Sequence, residues 1–398
     1  MTPGPGLART LMPQGFLASG VNCGVRRYRP DLGLIMSDRP AVGAGVFTLN
    51  RFAAAPVQYC RSLLPSSSVR AIITNSGQAN AATGPEGVEN NRQMAFEVAK
   101  ELECFPREVL TASTGVIGPQ IDLRKIVDAI PELVEKATDT AEQFSLAILT
   151  TDLVPKAVMT TIELSGGTIR ITGICKGSGM IHPNMATMLG YLLTDAIVPV
   201  ERATTWLKDA VDVSFNMISV DGDTSTNDAV FLMANGASGV ALRTSDDEKK
   251  FNAALREVAI LLAQSIAIDG EGASKLVEVQ VKGAPDVAIA RRAARGVTIS
   301  PLIKCAMHGE DPNWGRIVAR LGAEQVPDEC FQRMTLTMQG KLLFANGQPQ
   351  RFEKADVKTL LKKSKVIVEI DMQSGTAEAT AWGCDLSKKY VDINTEYS

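Results

Sequence analysis

The amino-acid sequence predicts an α/β fold of layered sheets and helices, and three features carry that expectation. Residues 69–74 (VRAIIT) read as a buried strand running into a small, polar, glycine-bearing loop at 75–87 (NSGQANAATGPEG), followed by a helix over about 91–103 with Met94, Phe96 and Val98 among its apolar residues. Residues 108–113 (EVLTAS) repeat the pattern, a strand ending at Thr114-Gly115 and a helix over about 121–136. Beyond about Lys275, strands alternate with short helices, and Asn346-Gly347 is a dipeptide suited to a tight hairpin. Strand, loop and helix in repetition is the rhythm of an α/β layer structure.

The middle of the chain fits the same reading. Residues 160–164 and 168–175 flank Ser165-Gly166-Gly167, a turn whose glycines permit positive φ. A loop over 176–184 leads into a run of strand character at 187–193. Ser245 stands three residues before Glu248, the spacing of a capping box, and apolar periodicity continues from there through Ala267. At 398 residues the chain exceeds the size of one ordinary core, so at least two subdomains are expected. It contains no internal repeat and no low-complexity segment.

Composition narrows the function. Hydrophobic residues at 45% and charged residues at 21% are ordinary for a soluble globular protein. A formal net charge of −3 offers no long-range attraction to nucleic acid or to an anionic membrane, so a small-molecule substrate is expected, with neither as partner. Residues 1–20 lack the pattern of a signal peptide, and the longest apolar stretch, 258–268, is far shorter than the ~20 residues that span a bilayer; a cytoplasmic location is expected. Seven dispersed cysteines without a C-x-x-C pair suggest neither a disulfide framework nor a zinc site. His182 and His308 are the two histidines of the chain, which leaves little for an imidazole-based triad or a His-rich metal site. In a hydrolase or acyl transferase of this composition the base is expected to be something other than imidazole.

Residues 176–190 read KGSGMIHPNMATMLG, a bent, glycine-bearing loop that runs straight into an apolar strand. Taken alone this is a connection between two strands. It stands, however, in a series: TNSGQANAATG (74–84), STGVIG (113–118), TTD (150–152), KGSGMIHPNMATML (176–189), DGDTSTND (221–228), DGEGASK (269–275), DPNWGR (311–316) and the terminal NTEYS. These segments, in this order and over nearly the whole chain, resemble the ornithine acetyltransferase family of self-cleaving enzymes. The resemblance implies a layered sandwich of sheets and helices of the ornithine acetyltransferase and N-terminal-nucleophile aminopeptidase type, with a smaller C-terminal α/β domain. It implies a break between Ala186 and Thr187, giving an alpha fragment of residues 1–186 and a beta fragment of 187–398. Residues 187–275 would then complete the catalytic domain, and about 276–398 would form the smaller domain.

The chemistry that the resemblance implies suits the residues. Thr187 would be the nucleophile, and the α-amine freed by cleavage its base, since an α-amine has a reference pKa of about 7.7–8.0 against ~10.4 for lysine. Thr114, by its hydroxyl, and Gly115, by its backbone N–H, match the oxyanion-hole pair of the family. Thr150, Lys176, Thr187, Glu271, Asn394 and the C-terminal residue Ser398 match substrate-holding positions, with Lys176 suited to a carboxylate and Glu271 to the side-chain ammonium of ornithine. The chain ends one residue short of the family pattern, which bears on Ser398. The implied reaction moves an acetyl group from N2-acetylornithine to glutamate in arginine biosynthesis, without a cofactor. Some family members also take acetyl-coenzyme A as a substrate, and nothing in these residues separates the two sets. The fragments are expected to stay together as a heterotetramer of two alpha and two beta.

An aminopeptidase or amidase with an N-terminal nucleophile would share the cleavage, but would favour serine as nucleophile and lack the ornithine-binding positions. A binding protein that had kept the fold would have no need of Thr114, Gly115, Lys176, Thr187 and Glu271 together. Asp221, Asp223, Asn227 and Asp228 look like calcium ligands, but Thr226 and Leu232 stand where an EF-hand loop needs glycine and glutamate. The glycines of 165–179 lack the spacing of a dinucleotide fingerprint. No metal is expected, His308 reads as a structural group, and Trp314 as a packed one.

Overall fold

The structure, a computed structural model, describes residues 10–182 and 188–396. In chain order it contains β1 (Phe16–Val21), β2 (Leu32–Phe47), α1 (Ala55–Leu63), β3 (Ser66–Gln78), α2 (Gly84–Glu101), β4 (Val109–Val116), α3 (Leu123–Glu135), α4 (Glu142–Ala147), β5 (Lys156–Leu164), β6 (Gly167–Lys176), β7 (Leu189–Thr194), α5 (Val200–Asp212), β8 (Ile218–Ser219), β9 (Ala229–Ala234) and α6 (Ser245–Ile268). There follow β10 (Leu276–Ala284), α7 (Val287–Ile299), α8 (Pro301–His308), α9 (Trp314–Ala323), α10 (Asp328–Arg333), β11 (Thr335–Met338), β12 (Lys341–Ala345), β13 (Gln348–Pro349), α11 (Lys354–Leu360), β14 (Lys365–Asp371), β15 (Ala377–Cys384) and α12 (Lys388–Thr395). The chain divides into two compact units. One comprises residues 1–177, 184–212 and 224–262, the other 178–183, 213–223 and 263–398.

The sheet of the first unit runs β4-β3-β2-β9-β7-β6-β5, with β1 also on β2. The apolar run at 69–74 becomes β3 because both its faces are covered. Ala71 and Ile73 join Met94, Val98, Ile126 and Leu133 of α2 and α3 in one core. Val69 and Ile72 face a second core with Phe144, Tyr191 and Phe231. In the strand order β2 and β9 separate β3 from β7, yet the Tyr191 hydroxyl lies 2.8 Å from Thr74 Oγ1. The sheet therefore curls until its two halves face each other across the second core. Tyr191 is the centrepiece of that core, edge-on to Phe144 at 4.9 Å and stacked on Phe231 at 5.8 Å. With α2 and α3 outside one half and α5 packed on β2 and β9, the layers run helix, sheet, sheet, helix, a form of the layered α/β fold expected.

Two local expectations need correction. The helix expected from about residue 91 begins at Gly84, because Pro85, which read as part of a loop, occupies the first helical turn where its missing N–H costs nothing. The cap of α6 lies one residue before the expected Ser245/Glu248 pair. Thr244 Oγ1 accepts from the Asp247 N–H at 3.1 Å, and Asp247 Oδ2 accepts from the Thr244 N–H at 3.1 Å. Asp247 also takes the N–H and hydroxyl of Ser165 at 2.8 and 2.7 Å, so this cap pins the β5–β6 turn. By length and composition α6 is apolar enough to cross a membrane. Phe251, Leu255, Val258, Leu262 and Ile266 on it are buried, with Val258 and Leu262 set directly over Gly173 of β6.

The sheet of the second unit runs β13-β12-β11-β14-β10-β15-β8, with β10 and β14 parallel. α7 packs on β10 and β15. The unit starts earlier than the sequence suggests and takes in 213–223, because Ile218 and Ser219 pair with Trp382 and Gly383 of β15. The Asn346-Gly347 dipeptide turns β12 into β13 with φ of 52° and 74°, values that match the right-handed twist of the paired strands. Trp314 stacks on Phe344 at 5.3 Å.

The Tyr191–Thr74 bond makes the curled core testable. Tyr191→Phe strands the buried Thr74 hydroxyl and is expected to cost about 1–3 kcal/mol in urea unfolding. Adding Thr74→Val removes the stranded group, so the double variant should regain part of that loss. A double variant as unstable as the single one would show that the bond is incidental to closure.

Candidate active site

In the first unit the ends of β4 and β6 meet, and with them three of the predicted residues. Thr114 and Gly115 close β4, which runs parallel to β3 with Gly77 opposite Gly115. Gly115 has φ +133°, and a Cβ there would lie 2.2 Å from the Gly77 carbonyl carbon, so glycine is required. Lys176 closes β6. Its ammonium donates to Thr150 Oγ1 at 2.6 Å and to Thr114 Oγ1 at 3.3 Å.

Asp152 holds this cluster together, though it was not singled out in the sequence. Its carboxylate lies 3.8 Å from Lys176 Nζ and accepts from Lys156 Nζ at 2.8 Å, from the Gly177 N–H at 2.7 Å and from the Thr150 N–H at 3.0 Å. The side chains of Asp152, Lys156 and Lys176 are 0%, 1% and 3% exposed, so water contributes almost nothing to their solvation. Burial works against the Asp152 carboxylate, but Lys176 and Lys156 outweigh it and hold its pKa below the usual carboxylate range. Burial lowers the pKa of Lys176, Asp152 opposes that shift, and Lys156 and Arg26 add to it. The Lys176 ammonium, with the Thr150 and Thr114 hydroxyls beside it, offers donors that suit a ligand carboxylate.

The strand after the predicted nucleophile is fixed from the same side. Ala186 and Thr187 lie outside the described residues. Met188, the next residue, donates its N–H to Asp228 Oδ1 at 2.9 Å, and Leu189 pairs with Lys176 and with Ala229. Burial raises the pKa of Asp228 well above the ordinary value, and its second oxygen has no hydrogen-bond partner among the described residues. Asn227 donates to the Ser113 carbonyl at 2.8 Å and so ties this segment to the end of β4.

In the second unit Glu271 and Asn394 come together. Asn394 Nδ2 donates to Glu271 Oε2 at 2.8 Å, and the Glu271 N–H donates to the Ser178 carbonyl at 3.1 Å. A Cβ at Gly179 would sit 2.4 Å from the Glu271 carboxylate, so the glycine makes room for that acid. Asp221 accepts from the Met180 and Ile181 N–H groups at 2.6 and 2.8 Å. Asp221 and Asp228, two of the residues that looked like calcium ligands, thus fasten backbone, Asp221 at 180–181 and Asp228 at 188. His308 bonds the buried Asp385 at 2.7 Å, the structural part expected of it. Ser398 lies outside the described residues.

A family model described as the ArgJ family matches residues 17–398. The arginine biosynthesis bifunctional protein ArgJ of Chlorobaculum tepidum is 46% identical over 393 residues, covering 97% of this chain and 96% of that protein. Among solved structures, an arginine biosynthesis bifunctional protein of Bacillus halodurans is 35% identical, covers 51% of this chain and 96% of that chain, and has a TM-score of 0.49. An ornithine acetyltransferase of Mycobacterium tuberculosis, solved with ornithine, is 32% identical, covers 46% of this chain and 96% of that chain, and has a TM-score of 0.41. The class is therefore that of an acyltransferase of arginine biosynthesis. The chain belongs to the ArgJ family.

The buried ion cluster carries a stability prediction. Asp152→Asn leaves two buried ammonium groups without their carboxylate and should destabilise the protein by about 3–5 kcal/mol at neutral pH. A lysine whose folded pKa is lowered costs stability while charged, and that cost fades as pH rises through the lowered folded value towards the ordinary one. The deficit of Asp152→Asn against the parent should therefore shrink between neutral and alkaline pH in urea melts. A deficit that stays constant would place the loss in packing and not in charge.

Proposed function

We propose that the chain transfers an acetyl group from N2-acetylornithine to glutamate through an acetyl-Thr187 ester, after cutting itself between Ala186 and Thr187. The observation that carries this reading is the convergence of Thr114, Thr150 and Lys176 on one buried point, across from the strand that follows Thr187. In processing, Thr187 Oγ attacks the Ala186 carbonyl carbon, the peptide nitrogen leaves as the α-amine of Thr187, and water opens the resulting ester. In turnover that amine takes the hydroxyl proton as Oγ attacks the acetyl carbonyl. Thr114 Oγ1 and the Gly115 N–H stabilise the oxyanion, and the α-amine of ornithine leaves with a proton. The α-amine of glutamate then attacks the acetyl ester and regenerates the Thr187 hydroxyl. Lys176, with Thr150, holds the α-carboxylate common to both amino acids. Glu271, positioned by Asn394, takes the side-chain ammonium of ornithine, and Ser398 lies at the same end of the chain. Acetyl-coenzyme A as an alternative donor fits the word bifunctional in the relatives' name. The working particle is two alpha and two beta fragments in the cytoplasm.

Processing and the intermediate can be read by mass spectrometry of purified protein. The second fragment should begin Thr-Met-Leu-Gly, and it should gain one acetyl group when N2-acetylornithine is supplied without glutamate. Thr187→Ala should yield an uncut, inactive chain. Full transferase activity in that variant would refute the mechanism.

Substrate recognition separates Lys176 from Glu271. Glu271→Gln replaces a charge-assisted bond with a neutral one and should raise KM for N2-acetylornithine by about tenfold or more, with little effect on KM for glutamate. Lys176→Met should impair both half-reactions. Equal losses for the two substrates in Glu271→Gln would move ornithine recognition to another residue.

A further inference from the structure

Residues 148–155 connect α4 to β5 without regular structure, so Thr150 depends on side chains for its placement. Each of its polar groups is taken by a different residue. Its N–H donates to Asp152 Oδ2 at 3.0 Å, its hydroxyl accepts from Lys176 Nζ at 2.6 Å, and its carbonyl accepts from Arg26 Nη2 at 3.4 Å. Arg26 Nη1 donates to the carbonyl of Leu149 at 2.5 Å, so one guanidinium spans two successive carbonyls of this segment. The loop before β2 is built to deliver it. Asp31, fully buried, accepts the N–H groups of Cys23 and Arg26, each at 2.6 Å, and its own carbonyl accepts from the Ser76 N–H of β3 at 2.8 Å. Asn22 Nδ2 donates to the Arg26 carbonyl at 2.9 Å. The half-buried Arg26 side chain runs over Gly77, where a Cβ would stand 3.5 Å from Arg26 Cγ, and Gly77 is the residue paired with Gly115. Burial lowers the pKa of Lys176, and Arg26 is among the charges that add to that shift, which puts the guanidinium within electrostatic reach of the ammonium.

We propose that Arg26 is a positioning residue for acetyl transfer: by holding the carbonyls of Leu149 and Thr150, it keeps the Thr150 hydroxyl aimed at the Lys176 ammonium. The inference rests on the reading of Lys176 and Thr150 as the holders of the α-carboxylate common to both amino acids, and it adds the group that sets their geometry. Arginine suits the task because its planar fork presents several fixed donors, enough to reach two carbonyls at once. The effect should fall on binding. Losing the fork frees the 149–150 segment and so loosens the carboxylate contact in both half-reactions, while Thr114 and Gly115 stay on β4 to meet the oxyanion.

Initial rates of the full chain and its variants test this. R26M keeps an aliphatic stem on Gly77 and removes the fork, so it should raise KM for N2-acetylornithine and for glutamate alike, by about tenfold, with a smaller change in kcat. R26K restores a charge and a donor and should recover most of that loss. In the T150V background R26M should add little, because the hydroxyl that Arg26 positions is already gone. R26Q, neutral and polar, gives the same comparison if R26M does not fold. A KM unmoved by loss of the fork, equal losses in R26M and R26K, or a full R26M penalty on top of T150V would overturn the inference. K176M, measured alongside, separates the inference from the reading beneath it. Unchanged KM for both substrates in K176M would sink the carboxylate reading and Arg26 with it, whereas losses in K176M without losses in R26M would remove Arg26 alone.

Discussion

The buried contact among Lys176, Asp152 and Lys156 is the constraint around which the first unit is arranged. Charges with almost no access to water persist only when each finds partners, and here the partners come from separate stretches of chain. Thr114 arrives from β4, Thr150 and Asp152 from the segment after α4, Lys156 from the start of β5 and Gly177 from the end of β6. Meeting the needs of one carboxylate therefore brings two strand ends and a connecting segment to one point.

Two aspartates fasten backbone on either side of residues 183–187: Asp221 takes the N–H groups of Met180 and Ile181, and Asp228 that of Met188. The Asp228 carboxyl is buried, and burial drives its pKa up while it holds Met188. A cluster resembling calcium ligands in the sequence thus serves as backbone fastening in the fold.

What was legible in the sequence was what depends on neighbours along the chain. The run at 69–74 reads as a strand because both its faces are apolar, and the Asn346-Gly347 turn because its conformational need is local. The start of α2 was hidden because Gly84-Pro85 is equally good chemistry for a turn and for a first helical turn. The buried cluster was illegible for a stronger reason. Lys156 and Lys176 look like surface lysines, and their burial depends on an aspartate placed by folding. Glu271 meets Asn394 across 123 residues, a pairing that no local pattern encodes; the resemblance to known sequences pointed to each residue but not to their contact. The motifs TTD and DGDTSTND did contain Asp152, Asp221 and Asp228, so those acids could have been suspected from their place inside the matching segments.

The inventory of acids and bases also bears on the chemistry. A transferase acting near neutral pH needs a group that can accept a proton from a hydroxyl. In the first unit Asp152 is held too acidic for that task by its two lysines, and Asp228, its pKa raised by burial, already takes the Met188 N–H. Lys176 already donates to Thr150 and Thr114 and carries the charge that suits a carboxylate. Both histidines belong to the second unit, where His308 is bound to Asp385 and His182 is kept neutral with a pKa too low to be an effective base. Each of these groups is already engaged in the fold. The α-amine that the proposed cut before Thr187 would free has a reference pKa of about 7.7–8.0 and would be attached to the proposed nucleophile itself. The scarcity of imidazole in the sequence and the self-cleavage proposed here thus answer one need, since the cut supplies the base that the side chains do not.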